Sequence, residues 1–287
     1  MTIQIQPFYD APTSTLTYVV YDEKTQDAVL IDPVRDFEPL GSKVSWGGAQ
    51  QIAQWIDDKG LKLHWVLETH AHADHLSGAP FFVDRYGAKV AIGSHITVVQ
   101  ETFKGVYNLA ASFKTDGSQF DKLLEDGEVL EAGSVKVKAY HTPGHTPACV
   151  SYLVDDAVFT GDALFMPDQG VGRCDFPKGD ADALYQSVHE KLYHLPDDTR
   201  VFVGHDYQPG GREVRWQSTI GEEKRANVQL RTETSPDEFI AKRTERDKTL
   251  AAPKLLFQSV QVNIDAGNLP APESNGGRYF KIPVRTD

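Results

Sequence analysis

Cysteine is nearly absent from this chain of 287 residues: only Cys149 and Cys174 occur, without a CxxC spacing. Neither a disulfide framework nor a cysteine-built zinc site is therefore expected. No apolar run approaches the roughly 18 residues that a membrane helix requires. The opening "MTIQIQPFYD" has neither a basic start nor a continuous apolar segment, so no secretory leader is readable. Positive charge is also scarce. With 29 Lys and Arg against 41 Asp and Glu the net charge is −12, and no basic stripe offers itself to a phosphate backbone. These deficits predict a cytoplasmic protein that binds neither nucleic acid nor membrane. A small anion is still within reach, because a buried metal and one or two arginines can reverse the potential locally.

What is present is an alternation of strand and helix signals without a long structureless linker. "TLTYVVYDEKTQDAVLID" reads as a hairpin, and a helix follows from about Gly48 to Lys59, with Ile52, Trp55 and Ile56 on one face and Gly60 as its stop. The strand "LKLHWVLET", a helix through "APFFVDRY", the strand "AKVAIG" and a helix through "HITVVQETF" come next. The middle is β-rich, with hairpins at "EVLEAGSVKVKAYH" and "CVSYLVDDAVFTGD". One helix is expected through "DADALYQSVHEKLYHL", then the strand "RVFVGHDY". In the tail Ser235 can cap a helix, Pro236 takes its first position, Glu238 completes a capping box, and "AKRTERDK" reads as a solvated face with pairs such as Glu238 and Lys242. The expected fold class is α/β, with residues 1–230 as the main domain and residues 231–287 as a helical, Pro/Gly-rich extension packed on it.

Four apolar strands each run into a metal-type side chain: "WVLET" into His70, "VKVKAY" into His141 and His145, "AVFTG" into Asp162, and "VFVG" into His205. If these strand ends share an edge, the side chains converge on one cleft. The stretch "HAHADH" adds His72, Asp74 and His75, and its spacing is not that of the helical HExxH motif. His141 reads as a packing residue beside the cluster. Pro143 and Gly144 shape a tight turn that can aim His145 back, and Gly161 lets the backbone come close before Asp162. Two hairpins, ending on Asp32 and Asp162, echo each other. Histidine nitrogen and carboxylate oxygen suit zinc, iron or manganese. Cys149 reads as a core residue, whereas Cys174, in the Gly-rich "GVGRCDF", is open to a second reading as a reactive loop thiol.

Through "THAHADH", "TPGHT", "TGDALF" and "GHDY" the chain resembles the metallo-β-lactamase superfamily, over nearly all of residues 1–230. The resemblance implies an αββα sandwich, two mixed β-sheets flanked by helices. Within the superfamily, "AVLIDPV", "THAHADHLSGA", "TPGHTPACVSYLV" and "GVGRCDFPKGDADALYQSVHEKLYHLP" are most similar to the persulfide dioxygenases, including the bacterial β-lactamase-like hydrolase branch. That resemblance implies one Fe(II) per chain on His70, His145 and Asp162, with His72, Asp74, His75 and His205 nearby, and Arg173 and Tyr207 in a glutathione pocket. It implies glutathione persulfide and O2 as substrates, sulfite and glutathione as products, and a homodimer. "GRCDF" departs from the family's usual threonine at Cys174, and "NVQL" from its usual "NPRL".

The rival is a glyoxalase II-like thioester hydrolase with zinc or a mixed dinuclear site. It would use His70, His72 and His145 on one side, Asp74, His75 and His205 on the other, and Asp162 as bridge. No basic clamp for glutathione is readable in the tail, which favours the dioxygenase. A third reading is a non-catalytic, metal-stabilised scaffold or sulfide-response regulator, for which a closed site is expected.

Overall fold

The computed structural model describes residues 2–284 and 286. The chain opens with an antiparallel meander of β1 (Ile3–Asp10), β2 (Thr15–Asp22) and β3 (Asp27–Ile31). A small hairpin, β4 (Val34–Glu38) and β5 (Lys43–Ser45), leads into helix α1 (Gly47–Lys59) and back to β6 (Lys62–Leu67), which runs parallel to β3. Short β7 (Leu76–Ser77) pairs with β4. Helix α2 (Ala79–Tyr86), β8 (Lys89–Gly93), α3 (Ile96–Val106) and β9 (Lys122–Leu124) complete the first sheet, in the order β1-β2-β3-β6-β8-β9. The second sheet runs in sequence order: β10 (Val129–Ala132), β11 (Val135–His141), β12 (Val150–Val154), β13 (Ala157–Phe159), then, after α4 (Ala181–Gln186), β14 (Arg200–Phe202) and β15 (Gln217–Thr219). Helices α5 (Ile220–Ala226), α6 (Pro236–Asp247) and α7 (Leu256–Asn263) follow.

Alternation along the strands decides the layers. On β2, Leu16, Tyr18 and Val20 enter the core between the sheets with Val29 and Ile31 of β3, Val135 and Val137 of β11 and Tyr152 of β12. Val19, Ala28 and Leu30 point the other way, into a second core with Ile52 and Ile56 of α1, Phe82 of α2 and Val99 and Phe103 of α3. Both faces of these strands are covered, which is why "AVLI" is apolar throughout. Leu184 of α4 and Phe239 of α6 join the first core, while Val260 of α7 joins the second. The result is a mixed α/β fold of two facing mixed sheets with helices outside, the αββα arrangement expected from sequence.

Several local expectations hold. Helix α1 ends at Gly60, whose left-handed backbone (φ 65°) lets its N–H reach the Asp57 and Ile56 carbonyls. Others need correction. "DADALYQSVHEKLYHL" is not one α-helix: α4 passes into a π-helical turn over Ser187–Lys191 and a 3₁₀ turn over Leu192–His194. The capping box is half made, since Ser235 accepts from the Glu238 N–H but the Glu238 carboxylate goes to Lys242 at 2.6 Å. The solvated-face reading of "AKRTERDK" fails at Arg243 and Asp247, which are buried and paired one helical turn apart. Among the described residues no helix is long and apolar enough to cross a membrane.

Candidate metal centre

Each ligand-type side chain enters from the end of a strand or the loop after it. His70 follows β6, His145 follows β11 through the Pro143–Gly144 turn, Asp162 follows β13, and His205 follows β14. Two close approaches fix their height. At Gly161 (φ 49°) a Cβ would lie 2.6 Å from the Thr69 hydroxyl, so the β13 end seats against the His70 segment only with glycine there. At Gly144 (φ 139°) a Cβ would meet the Leu184 Cβ at 2.3 Å, which pins the turn carrying His145 on α4.

The structure gathers these residues into two groups. His70, His145 and Asp162 form one, and His72, Asp74, His75 and His205 the other, with ligand atoms in each within 4.8 Å of one another. Asp162 stands between them, its Oδ2 at 3.6 Å from His145 Nε2 and its Oδ1 at 3.3 Å from His205 Nε2. The His70 and His72 rings lie 4.0 Å apart, so the two do share one side as their spacing requires. His72 falls in the group of Asp74, His75 and His205 and also in a group with Asp32 and Glu68, while its ring adjoins that of His70. His141 stays outside both groups: its Nε2 donates to the Pro147 carbonyl and its ring stacks on His95.

The hydrogen bonds behind the rings set the tautomers. Thr69 Oγ1 gives its one proton to Asp32, so it accepts from His70 Nδ1 at 3.0 Å. His145 Nδ1 donates to the Arg173 carbonyl at 2.7 Å, His205 Nδ1 to the Ser14 carbonyl at 3.3 Å, and His75 Nδ1 to Asp74 at 3.1 Å. The Nε2 lone pairs of His70, His75 and His205 are left buried and without a hydrogen-bond partner, as is Asp162 Oδ1. His72 is reversed: Nε2 lies 3.1 Å from Asp32 and 3.5 Å from Glu68 without a hydrogen bond to either, and Nδ1 is bare. So many orphaned buried donor atoms facing one another are expensive unless a cation satisfies them, and the donor set of imidazole and carboxylate fits a divalent transition metal. The carboxylates and carbonyls behind the rings are the orienting partners such ligands need.

Electrostatics agree. Burial, with the charges of His72 and His145, holds the His70 pKa well below its usual value, which keeps its lone pair free. Burial works against a charged His72, but Asp32 and Glu68 outweigh it and raise the pKa well above normal. Burial would raise Asp74, yet His205 and His75 lower it well below the carboxylate range.

The mouth of the centre has two lobes that share Asp162, Arg173 and Tyr207. One, of about 250 Å³, is also lined by Gln229, Arg243 and Arg246; the other, of about 340 Å³, by Pro253 and Lys254. The tail thus does bring basic residues to the site, contrary to the sequence reading. Arg173 has its fork taken by Asp175, at 2.5 and 2.6 Å, and its Nη1 by the Ala251 carbonyl at 2.7 Å. A substrate carboxylate would have to displace Asp175 to be gripped in the same way. Tyr207 is half exposed, stacked on His205 with Phe165 at its edge. Cys174 is not an open loop thiol: it is buried in the central core, and burial pushes its pKa up, which disfavours the thiolate.

Sequence reasoning missed Asp32, Glu68 and Asn263. Asp32 was visible as a hairpin end matching Asp162, and that echo has a physical meaning, because both hairpins deliver a carboxylate to the histidine cluster, Asp32 to His72 and Asp162 to His145 and His205. Nothing in the sequence marks Asn263.

Two facing mixed sheets with helices outside and a histidine–aspartate cluster at one edge define a metal-binding enzyme scaffold of the αββα class. The metallo-beta-lactamase superfamily model matches residues 10–205, and the chain belongs to that superfamily. A "Probable metallo-hydrolase" of Burkholderia pseudomallei is 46% identical over 290 residues, covering 98% of each chain. "Glyoxylase B2" of Dictyostelium discoideum is 46% identical over 283 residues, with 98% of this chain and 97% of that one covered. The mitochondrial persulfide dioxygenase ETHE1 of Homo sapiens is 32% identical over 267 residues, with 92% and 89% covered. Among solved structures, ETHE1 from Myxococcus xanthus superposes with a TM-score of 0.74 at 32% identity, over 92% of this chain and 100% of that one.

Proposed function

We propose that the chain is a persulfide dioxygenase, with one Fe(II) held by His70, His145 and Asp162. The observation that carries this reading is that two histidines and one carboxylate form a group of their own. This donor set suits non-haem iron with coordination positions left open for substrate and O2. Similarity to proteins named persulfide dioxygenase supports it. When bound, the iron supplies the redox centre for dioxygen chemistry that no side chain offers. The chain's own residues orient and neutralise. The Arg173 carbonyl fixes the His145 ring, Tyr207 and Phe165 wall the entrance, and Arg246 and Lys254 bring positive charge to the lobes, where an anionic carrier such as glutathione can lie. The overall reaction balances as glutathione persulfide, O2 and water giving glutathione, sulfite and two protons.

The second reading, a dinuclear thioester hydrolase, is favoured by one observation: Asp162 turns its other oxygen toward His205, where a second complete ligand group stands. Anaerobic purification, elemental analysis and oxygen uptake on adding glutathione persulfide separate the two. About one iron per chain with O2 consumed and sulfite formed is expected. Two metals per chain, no O2 uptake and cleavage of a glutathione thioester would overturn the dioxygenase.

A further inference from the structure

Arg212, between β14 and β15, joins two loops that reach the metal centre. Its Nε and Nη2 donate to Asp168 at 2.6 and 2.9 Å, and its Nη1 and Nη2 to Asp206 at 2.6 and 2.7 Å. Nη1 also donates to the Glu213 carbonyl at 2.9 Å. Every N–H of the guanidinium is thereby engaged, and one planar fork grips two carboxylates at once.

The two carboxylates belong to different strand ends. Asp168 follows β13 and directly precedes Gln169; Asp206 follows β14 and stands between His205 and Tyr207. Gln169 and Tyr207 both line the lobe of about 250 Å³ beside Asp162, and they meet there, the Tyr207 N–H donating to Gln169 Oε1 at 3.3 Å. Asp206 is fully buried and also accepts from the Arg215 N–H at 2.7 Å. A carboxylate this deep needs a paired cation, and Arg212 is the one it has.

His205 is held by other means. The Leu16 N–H donates to the Gly204 carbonyl at 2.8 Å, the Asp206 N–H to the Ser14 carbonyl at 3.1 Å, and His205 Nδ1 to that same carbonyl at 3.3 Å. The edge of β2 thus fixes this metal-type histidine, whereas the arginine ties Tyr207 to Gln169. We propose that Arg212 is a positioning residue for the reaction at the metal centre: by clamping Asp168 to Asp206 it sets the wall of the lobe in which the organic part of the substrate lies. The inference rests on the mouth being the substrate's entrance, which the persulfide and thioester readings share.

The test compares the iron-loaded wild type with Arg212→Met, Arg212→Lys and Asp168→Asn, by oxygen uptake over a range of glutathione persulfide, with iron content and circular dichroism measured on each. Iron content and circular dichroism should match the wild type, while KM rises by roughly ten- to a hundredfold and kcat changes less. Arg212→Lys keeps the charge without the fork and should be impaired like Arg212→Met. Asp168→Asn separates the clamp from simple attraction of an anion: it leaves the region more positive, which would lower KM, whereas a loosened clamp raises it. An unchanged KM in Arg212→Met, full recovery in Arg212→Lys, or a lowered KM in Asp168→Asn would each overturn the proposal. Loss of iron in step with kcat would do so too, since Arg212 would then serve the ligands and not the lobe. Should the Arg212 variants not fold, Asp168→Asn, at the more exposed end of the clamp, decides alone. A wild type that takes up no O2 but cleaves a glutathione thioester would sink the dioxygenase reading instead, and the same split of KM against kcat is then read with the thioester. A wild type inert toward both would end the positioning role as well.

Discussion

Asn263 donates its side-chain amide to the carbonyl oxygen of His72 at 2.9 Å, and the same amide reaches the His75 carbonyl at 2.8 Å. Its oxygen accepts from the Ser77 N–H at 2.8 Å. One buried residue at the end of α7 thus closes three bonds on the loop that carries His72, Asp74 and His75. Asn263→Ala leaves two carbonyls and one amide unpaired in the interior, each costing about 1–3 kcal/mol. Elemental analysis after dialysis should show reduced metal content, and urea unfolding a lower midpoint. Unchanged values for both would remove Asn263 from any role in holding the ligand loop.

Asp32 acts on the other side of the same loop. Its carboxylate accepts from the Thr69 N–H at 2.7 Å and hydroxyl at 2.8 Å and stands 3.1 Å from His72 Nε2. The residue has a left-handed backbone (φ 49°), which asparagine tolerates, so Asp32→Asn isolates the loss of charge from backbone strain. Metal retention against a chelator is expected to weaken by roughly ten- to a hundredfold. Asp162→Ala, which removes a member of the three-residue group itself, should abolish metal retention while circular dichroism stays native. Iron held as well by Asp162→Ala as by the wild type would dismiss His70, His145 and Asp162 as the iron site.

How much of this was legible beforehand follows from the range of the interactions. The histidines and Asp162 announce themselves because a metal site needs rare residue types placed directly after apolar strands, and both signals are local. The hairpins and α1 were equally readable from period and from Gly60. Strands β4, β5 and β7 were not anticipated, because strands of two to five residues owe their existence to a neighbour in space, and the longer edge strand β1 was missed as well. Arg243 and Asp247 were misread because a charged helix looks solvated in sequence whichever face turns inward. Asn263 lies 191 residues from His72, a distance over which composition carries no signal.

The Arg243–Asp247 pair gives a prediction about the lobe beside Asp162. Both residues are buried, Arg243 also donates to Gln229 at 2.8 Å, and Asp247 accepts from the Cys174 N–H at 2.8 Å. Asp247→Ala strands a buried guanidinium and an amide and should lower stability by about 3–5 kcal/mol in urea unfolding. The double replacement Arg243→Met with Asp247→Leu should cost less than Asp247→Ala alone, since no charge is left uncompensated. Metal content should be normal in both, as neither residue reaches the ligands. A double variant less stable than the single one would mean that the pair is worth more than the apolar packing that replaces it.

Glu223 sets the pH dependence. It is fully buried, bonded to the Ser218 hydroxyl and to Asn227 Nδ2 at 2.9 Å, and burial pushes its pKa up to about 8. In the unfolded chain it titrates near about 4.3. Between these values the native protein holds a proton that the unfolded chain has released. Its contribution to stability is therefore complete below the unfolded pKa and is lost as pH rises through the folded one, with a slope approaching about 1.4 kcal/mol per pH unit. The consequence reaches the mouth of the metal centre, because Asn227 also donates to the Gly170 carbonyl at 3.1 Å and accepts from the Gln229 N–H at 3.0 Å, and Gln229 lines the cavity beside Asp162. Glu223→Gln keeps the shape and both hydrogen bonds without the titration. Urea midpoints measured from pH 5 to pH 9 should therefore nearly coincide for the two proteins at the acid end and separate in favour of Glu223→Gln as pH rises. A difference that stays constant across this range would show that Glu223 is already ionised in the native fold.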